Sequence, residues 1–111
     1  MTLVEIFEKV NLVIPIEQRV FFNFFEDTVN ELQSLYGDFV FIKDTNYEPP
    51  ESLNDKNVVL PLYHNAIVDN ILFLANKGEY YKGEFMRKAK DAYLKYWKDN
   101  ANGRRIRRMR W

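Results

Sequence analysis

The chain has 111 residues, with 47% hydrophobic and 16% aromatic content, 16 basic and 16 acidic side chains, and no cysteine. That length predicts one domain with enough apolar material for a real core, and the missing cysteine excludes disulfides, thiolate nucleophiles and cysteine-ligated metals. The zero formal charge hides a polarity: residues 1–76 hold 4 basic and 12 acidic side chains, a net −8, whereas residues 77–111 hold 12 and 4, a net +8.

Met1 to Glu5 lack the basic start and apolar run of a signal peptide, and no stretch approaches the roughly 20 apolar residues of a membrane span. A soluble intracellular domain, made in a cytoplasm, is the expectation. Thr2 followed by Glu5 is a capping box, with Leu3, Ile6, Phe7 and Val10 on one face of a short helix that ends before Pro15. Pro15 then fits the first turn of a second helix. Ile16, Val20, Phe24, Val29, Leu32 and Leu35/Tyr36 recur along it, widened by Phe21 and Phe25, until Gly37 stops it. Asp38 to Lys43, reading Phe39-Val40-Phe41-Ile42, predicts a short extended segment. Asp44-Thr45-Asn46, Pro49-Pro50 and Asn54-Asp55 predict a long acidic loop.

Pro61 restarts the chain in a third helix, the most buried, on Leu62, Ala66, Ile67, Ile71, Leu72, Leu74 and Ala75. Asn76-Lys77-Gly78 closes it. A fourth helix begins near Glu79 with an aromatic stripe at four-residue spacing: Tyr81, Phe85, Ala89, Tyr93 and Trp97. That spacing predicts core packing rather than base stacking. Glu84–Lys88 and Asp91–Lys95 are spaced for i,i+4 pairs. Asn100 to Gly103 predicts the stop, leaving residues 104–111 as a separate basic tail beyond a helical domain over 1–103. The fold expectation is mainly α: a small four-helix bundle-like domain, with a strand-like segment and long loop between helices 2 and 3. The third and fourth helices should be antiparallel neighbours.

Catalytic chemistry has no foothold in the sequence. His64, the one histidine, lacks partners at ligand spacing, so a capping or surface role is expected. Ser34 and Ser52 lack a nearby base, and no phosphate-cradling glycine motif occurs. The expectation is no enzyme, no cofactor, no metal and no small-molecule substrate.

The sharpest feature is the end of the chain: Arg104, Arg105, Ile106, Arg107, Arg108, Met109, Arg110 and Trp111, five arginines and no acid. Arginines meet phosphates or fork onto carboxylates. The interleaved Ile106, Met109 and Trp111 favour a protein partner, since apolar anchors beside arginine make interface hot spots. Tyr80 and Tyr96 are candidate intersubunit contacts. Lys88 and Lys95 are candidates too, set against the acidic loop residues Asp44, Glu48, Glu51 and Asp55 of a neighbouring copy.

The order of parts resembles the head–tail connector, or adaptor, proteins of tailed bacteriophages and prophages. The resemblance rests on the capped opening helix Thr2-Leu3-Val4-Glu5-Ile6-Phe7 and the Leu60-Pro61 helix start with Tyr63, Ala66 and Ile67. It continues through Leu72-Phe73-Leu74-Ala75, the turn at Gly78-Glu79, then Gly83, Phe85, Tyr93 and the basic end. It is clearest over residues 60–111. It implies a helical virion protein at the head–tail junction that assembles as a ring under the portal, extends the DNA channel and meets a neck or tail protein. It also implies portal docking through Arg104 to Trp111. The competing expectation is a nucleic-acid-binding regulator whose arginine-rich tail folds on RNA or DNA; a helical toxin–antitoxin partner is a third.

Overall fold

The computed structural model describes the backbone of residues 1–108 and the side chains of residues 1–98. Its first helix, α1 (Leu3–Val13), opens on the reciprocal cap that the sequence predicts. The Glu5 N–H donates to Thr2 Oγ1 at 3.2 Å, and the Thr2 N–H donates to Glu5 Oε1 at 2.9 Å. Leu3, Ile6 and Val10 are buried. The helix ends at Ile14, as the following Pro15 requires. Asn11 fixes the corner: its amide donates to the Phe7 carbonyl, and its side-chain oxygen accepts from the Ile16 N–H.

The second helix, α2, spans Gln18–Tyr36. It begins later than Pro15 because Glu17 is extended and occupies the N-cap. Its buried face is also rotated from the expected stripe. Phe21, Phe25, Thr28, Val29 and Leu32 are buried, while Val20 and Phe24 are only half-buried and Leu35 is exposed. The ring of Phe21 explains the rotation. It meets Phe7 edge-on at 5.2 Å and Phe25 at 6.0 Å, so two large rings rather than the Val20 side anchor α2 to α1.

The strand expected over Asp38 to Lys43 is not there. Gly37, at φ +66°, turns the chain into a 3₁₀ turn, Gly37–Val40, which buries Val40. Only Phe41 pairs, in one antiparallel bridge with Val59. The Ile42 N–H donates to the Val58 carbonyl and the Leu60 N–H to the Val40 carbonyl, both at 2.8 Å. A β-rich composition met just one short extended partner, so pairing stops at this clasp. The long loop between is ordered by its own contacts. Tyr47 stacks on Phe41 at 5.2 Å, and Asp55 Oδ2 accepts from the Glu51 and Ser52 N–H groups.

A 3₁₀ turn at Pro61–Tyr63 leads into α3, His64–Leu74. As expected, α3 is the most buried helix, with His64, Ala66 to Leu72 all buried. Asn76 (φ +68°) and Gly78 (φ +110°) reverse the chain, and α4, Glu79–Arg108, runs back along α3. The stop expected over Asn100 to Gly103 is a correction: α4 continues through Gly103 to Arg108. The helix cost of one glycine, about 1 kcal/mol, does not end it there. Residues 104–108 therefore extend a helix rather than form a segment apart.

A chain of hydrogen bonds links polar groups at the centre. Asn70 donates to Thr28 Oγ1 at 2.8 Å, Thr28 to the Phe24 carbonyl at 2.7 Å, and Lys82 joins Glu31 to Asn70. His64 is buried rather than surface-exposed. Its Nε2–H donates to the Val59 carbonyl at 2.8 Å, and its Nδ1 accepts from the Met1 amino group at 2.6 Å. It ties α3 to the clasp and to the start of α1. Burial pushes its pKa below the usual histidine value.

Candidate protein-docking face on the last helix

Two sections of α4 carry the aromatic stripe, and they meet different surroundings. Phe85 and Ala89 are fully buried against the core. Tyr93 is half-buried, and Trp97 is 38% exposed. The cause is length. Helix α3 has 11 residues and α4 has 30, so at about 1.5 Å per residue α4 outruns its antiparallel partner. Beyond that point the stripe is covered by the end of α2 and the 3₁₀ turn that follows.

Gly37 makes that cover possible. The turn it starts sends Val40 inward and Phe39 toward α4. Phe39 sits 6.3 Å from Tyr93, 5.8 Å from Tyr96 and 5.3 Å from Trp97, ring centre to ring centre. Tyr36 stacks on Tyr93 at 4.6 Å. Tyr36, Tyr93 and Tyr96 in turn surround Tyr63, whose buried hydroxyl has no hydrogen-bond partner among the described residues; its pKa is raised by burial first and by those phenols second. The outer rim, Phe39 and Trp97 with Leu35 nearby on α2, leaves apolar area open to solvent. Partly exposed aromatic clusters of this kind are typical of interface cores.

Beside the rim lies a groove of about 500 Å³ between the start of the long loop and α4. Phe39, Phe41, Tyr47 and Tyr96 give it aromatic walls, and Asp38 and Asp44 bring two carboxylates beside one ammonium group, that of Lys43. Asp38 accepts a long hydrogen bond from Gln33, 3.4 Å. Neither carboxylate makes an ion pair among the described residues. Burial pushes the Tyr47 hydroxyl pKa up to about 12, with Glu26 adding to the shift. A second cleft of about 530 Å³ separates the start of α1 from Leu53 to Asn57 and is more mixed in character.

The expected site residues divide sharply. Arg104, Arg105, Ile106, Arg107 and Arg108 lie on the backbone of α4. Their side chains, with all of Met109, Arg110 and Trp111, lie outside the described residues. Tyr96 lines the groove. Tyr80 is 70% exposed at the other end of α4, edge-on to Tyr81. Lys95 is exposed. Lys88 is already engaged within its own chain, 2.6 Å from Asp69 on α3. Of the loop acids only Asp44 reaches the groove; Glu48 and Glu51 are exposed elsewhere, and Asp55 caps its own turn.

The expected Glu84–Lys88 and Asp91–Lys95 pairs are also replaced. Arg87 binds Glu84 through two nitrogens, at 2.9 and 3.0 Å, and reaches Asp91 at 3.4 Å. Lys88 points toward α3, where a nearly buried carboxylate needs a cation more than an exposed one does. Sequence reasoning missed Phe39 and Asp38 as site residues because it placed them on a strand. The stop at Gly37 was the available signal, since it sets Phe39 only three residues past the end of α2.

Among the described residues there is no cluster of acids and histidine able to hold a metal ion, and no helix long and apolar enough to cross a membrane. No protein family, curated protein or solved structure matches this chain. Its function is therefore argued from its own residues.

Proposed function

We propose that this chain is a non-catalytic structural protein of a tailed-phage or prophage virion, a head–tail connector that assembles as a ring beneath the portal. In that role it extends the DNA channel and offers a surface to the neighbouring neck or tail protein. One observation carries the docking part of this reading: a half-exposed aromatic rim, in which Tyr93, Tyr96 and Trp97 of α4 meet Phe39 of the 3₁₀ turn, shares its helix with Arg104 to Arg108. Aromatic and arginine side chains together are what protein interfaces concentrate. The virion setting rests on the resemblance of residues 60–111 to connector proteins.

The test is co-purification with a portal ring encoded beside this chain, at moderate salt with competitor DNA. The full chain should be captured. The 1–103 truncation keeps every buried core residue among the described ones and should be lost from the ring. The connector reading falls if neither form is captured. A nucleic-acid role replaces it if the full chain instead stays on the competitor DNA, with affinity that drops steeply as salt rises.

A further inference from the structure

We infer that the groove beside Phe39 is the receptor for the arginine segment, residues 104–111, of a second copy of this chain. The inference rests on the protein-docking reading above and names the partner. The groove asks for an occupant with two properties. Asp38 and Asp44 outnumber Lys43 and leave the groove net negative, which favours a cation, and the Phe39–Tyr96 and Phe41–Tyr47 pairs offer aromatic walls to a planar or apolar group. Guanidinium groups satisfy both demands, because they fork onto carboxylates and stack on aromatic faces. Residues 104–111 supply five arginines with Ile106, Met109 and Trp111 between them, and no acid to oppose Asp38 or Asp44.

The geometry makes the contact intermolecular. Tyr96 lines the groove, and α4 remains helical to Arg108. Eight residues of helix carry the backbone of Arg104 about 12 Å further along the axis from Tyr96. The backbone that bears Arg104 to Arg108 thus lies beyond Tyr96 along α4. In the assembly that segment enters the groove of another copy. Such a contact uses two different surfaces, so it is head-to-tail and closes into a ring or grows as a filament. The charge halves support the same pairing: the groove belongs mostly to the acidic residues 1–76 and the segment to the basic residues 77–111. Phosphate backbones are disfavoured occupants, because Asp38 and Asp44 repel them.

The experiment is sedimentation velocity on the full chain at low salt, over a concentration series, without portal or nucleic acid. Two full-length variants accompany it. One reverses the segment (Arg107→Glu, Arg108→Glu, Arg110→Glu). The other alters the groove (Asp38→Lys, Asp44→Asn), with asparagine at 44 because that residue sits at φ +63° and asparagine tolerates that conformation. Thermal melts of both variants control for folding.

The wild type should associate, and each variant alone should associate at least about tenfold more weakly, since like charges across an interface are strongly unfavourable. Mixed together, the variants should associate again, at least to a dimer, because one intact groove meets one intact segment and the lysine introduced at 38 faces the glutamates of the reversed segment. A wild type that stays monomeric to millimolar concentration overturns the inference, as does association that survives in both variants or a mixture that forms no dimer. Portal capture is read separately. Capture of a wild type that never self-associates removes this inference and leaves the connector reading standing.

Discussion

The two halves of α4 carry the same stripe and do different things. Around Phe85 and Ala89 the stripe is sealed against α3, and the neighbouring polar groups are all tied down: Lys82 to Glu31 and Asn70, Lys88 to Asp69. Around Tyr93 and Trp97 the stripe is held by Tyr36, Tyr63 and the Phe39 turn rather than by α3, and part of it faces water. The contrast teaches that helical periodicity reports which face of a helix is apolar but not where its partner ends. An eleven-residue α3 cannot cover a thirty-residue α4, so the surplus becomes surface.

The largest effect should come from Phe85→Ala. Removing a fully buried ring leaves a cavity that the surrounding helices cannot close, at a cost of about 3–5 kcal/mol, readable by urea denaturation. Lys88→Met comes next. It leaves Asp69 charged and nearly buried without its cation, and should lower stability by about 1–3 kcal/mol. The same variant sharpens the contrast in another way, since losing the charge at Lys88 reports on folding before it reports on assembly.

Trp97→Ala should cost less than Phe85→Ala, about 1–2 kcal/mol, while abolishing partner capture. If the two substitutions destabilise equally, the distinction between the sealed and open halves collapses. The smallest effect concerns His64. Its folded pKa lies below the unfolded value of 6.5, so its contribution is fully present above that value and is lost as pH falls through the lowered folded one. Each unit of separation is worth about 1.4 kcal/mol. Melting temperatures of the wild type between pH 7.5 and 5.5 should therefore fall more steeply than those of His64→Asn, and equal slopes would remove His64 from the account.

Much of the fold was legible because its signals were local. Thr2 with Glu5, Pro15, Pro61 and the Asn76 to Gly78 turn each act within one turn of backbone, and the four helices follow from them. What was illegible depends on distant partners. Phe39 and Phe41 have strand-like neighbours in sequence, yet whether they pair is decided by Val58 to Leu60, which offer one bridge. His64 looks exposed from its polar neighbours and becomes buried only because Met1, Asn57 and Val59 converge on it. Gly103 reads as a stop and is carried through as helix. The candidate site was half legible: Tyr96 and Asp44 were singled out, but the groove that unites them needed the Phe39 turn.

The clasp at Phe41 and Val59 has a consequence for engineering. Its two flanking backbone bonds and the Tyr47–Phe41 stack fasten the acidic loop at its base. The exposed stretch around Pro49 and Glu51 lies beyond that clasp, while Leu53 packs back on the core. Lengthening a loop whose ends are already fastened costs little, about 0.6 kcal/mol for each doubling. A peptide tag or a small reporter spliced in at Pro50-Glu51 should therefore leave the helices intact, giving a handle on the molecule that touches neither α4 nor its groove.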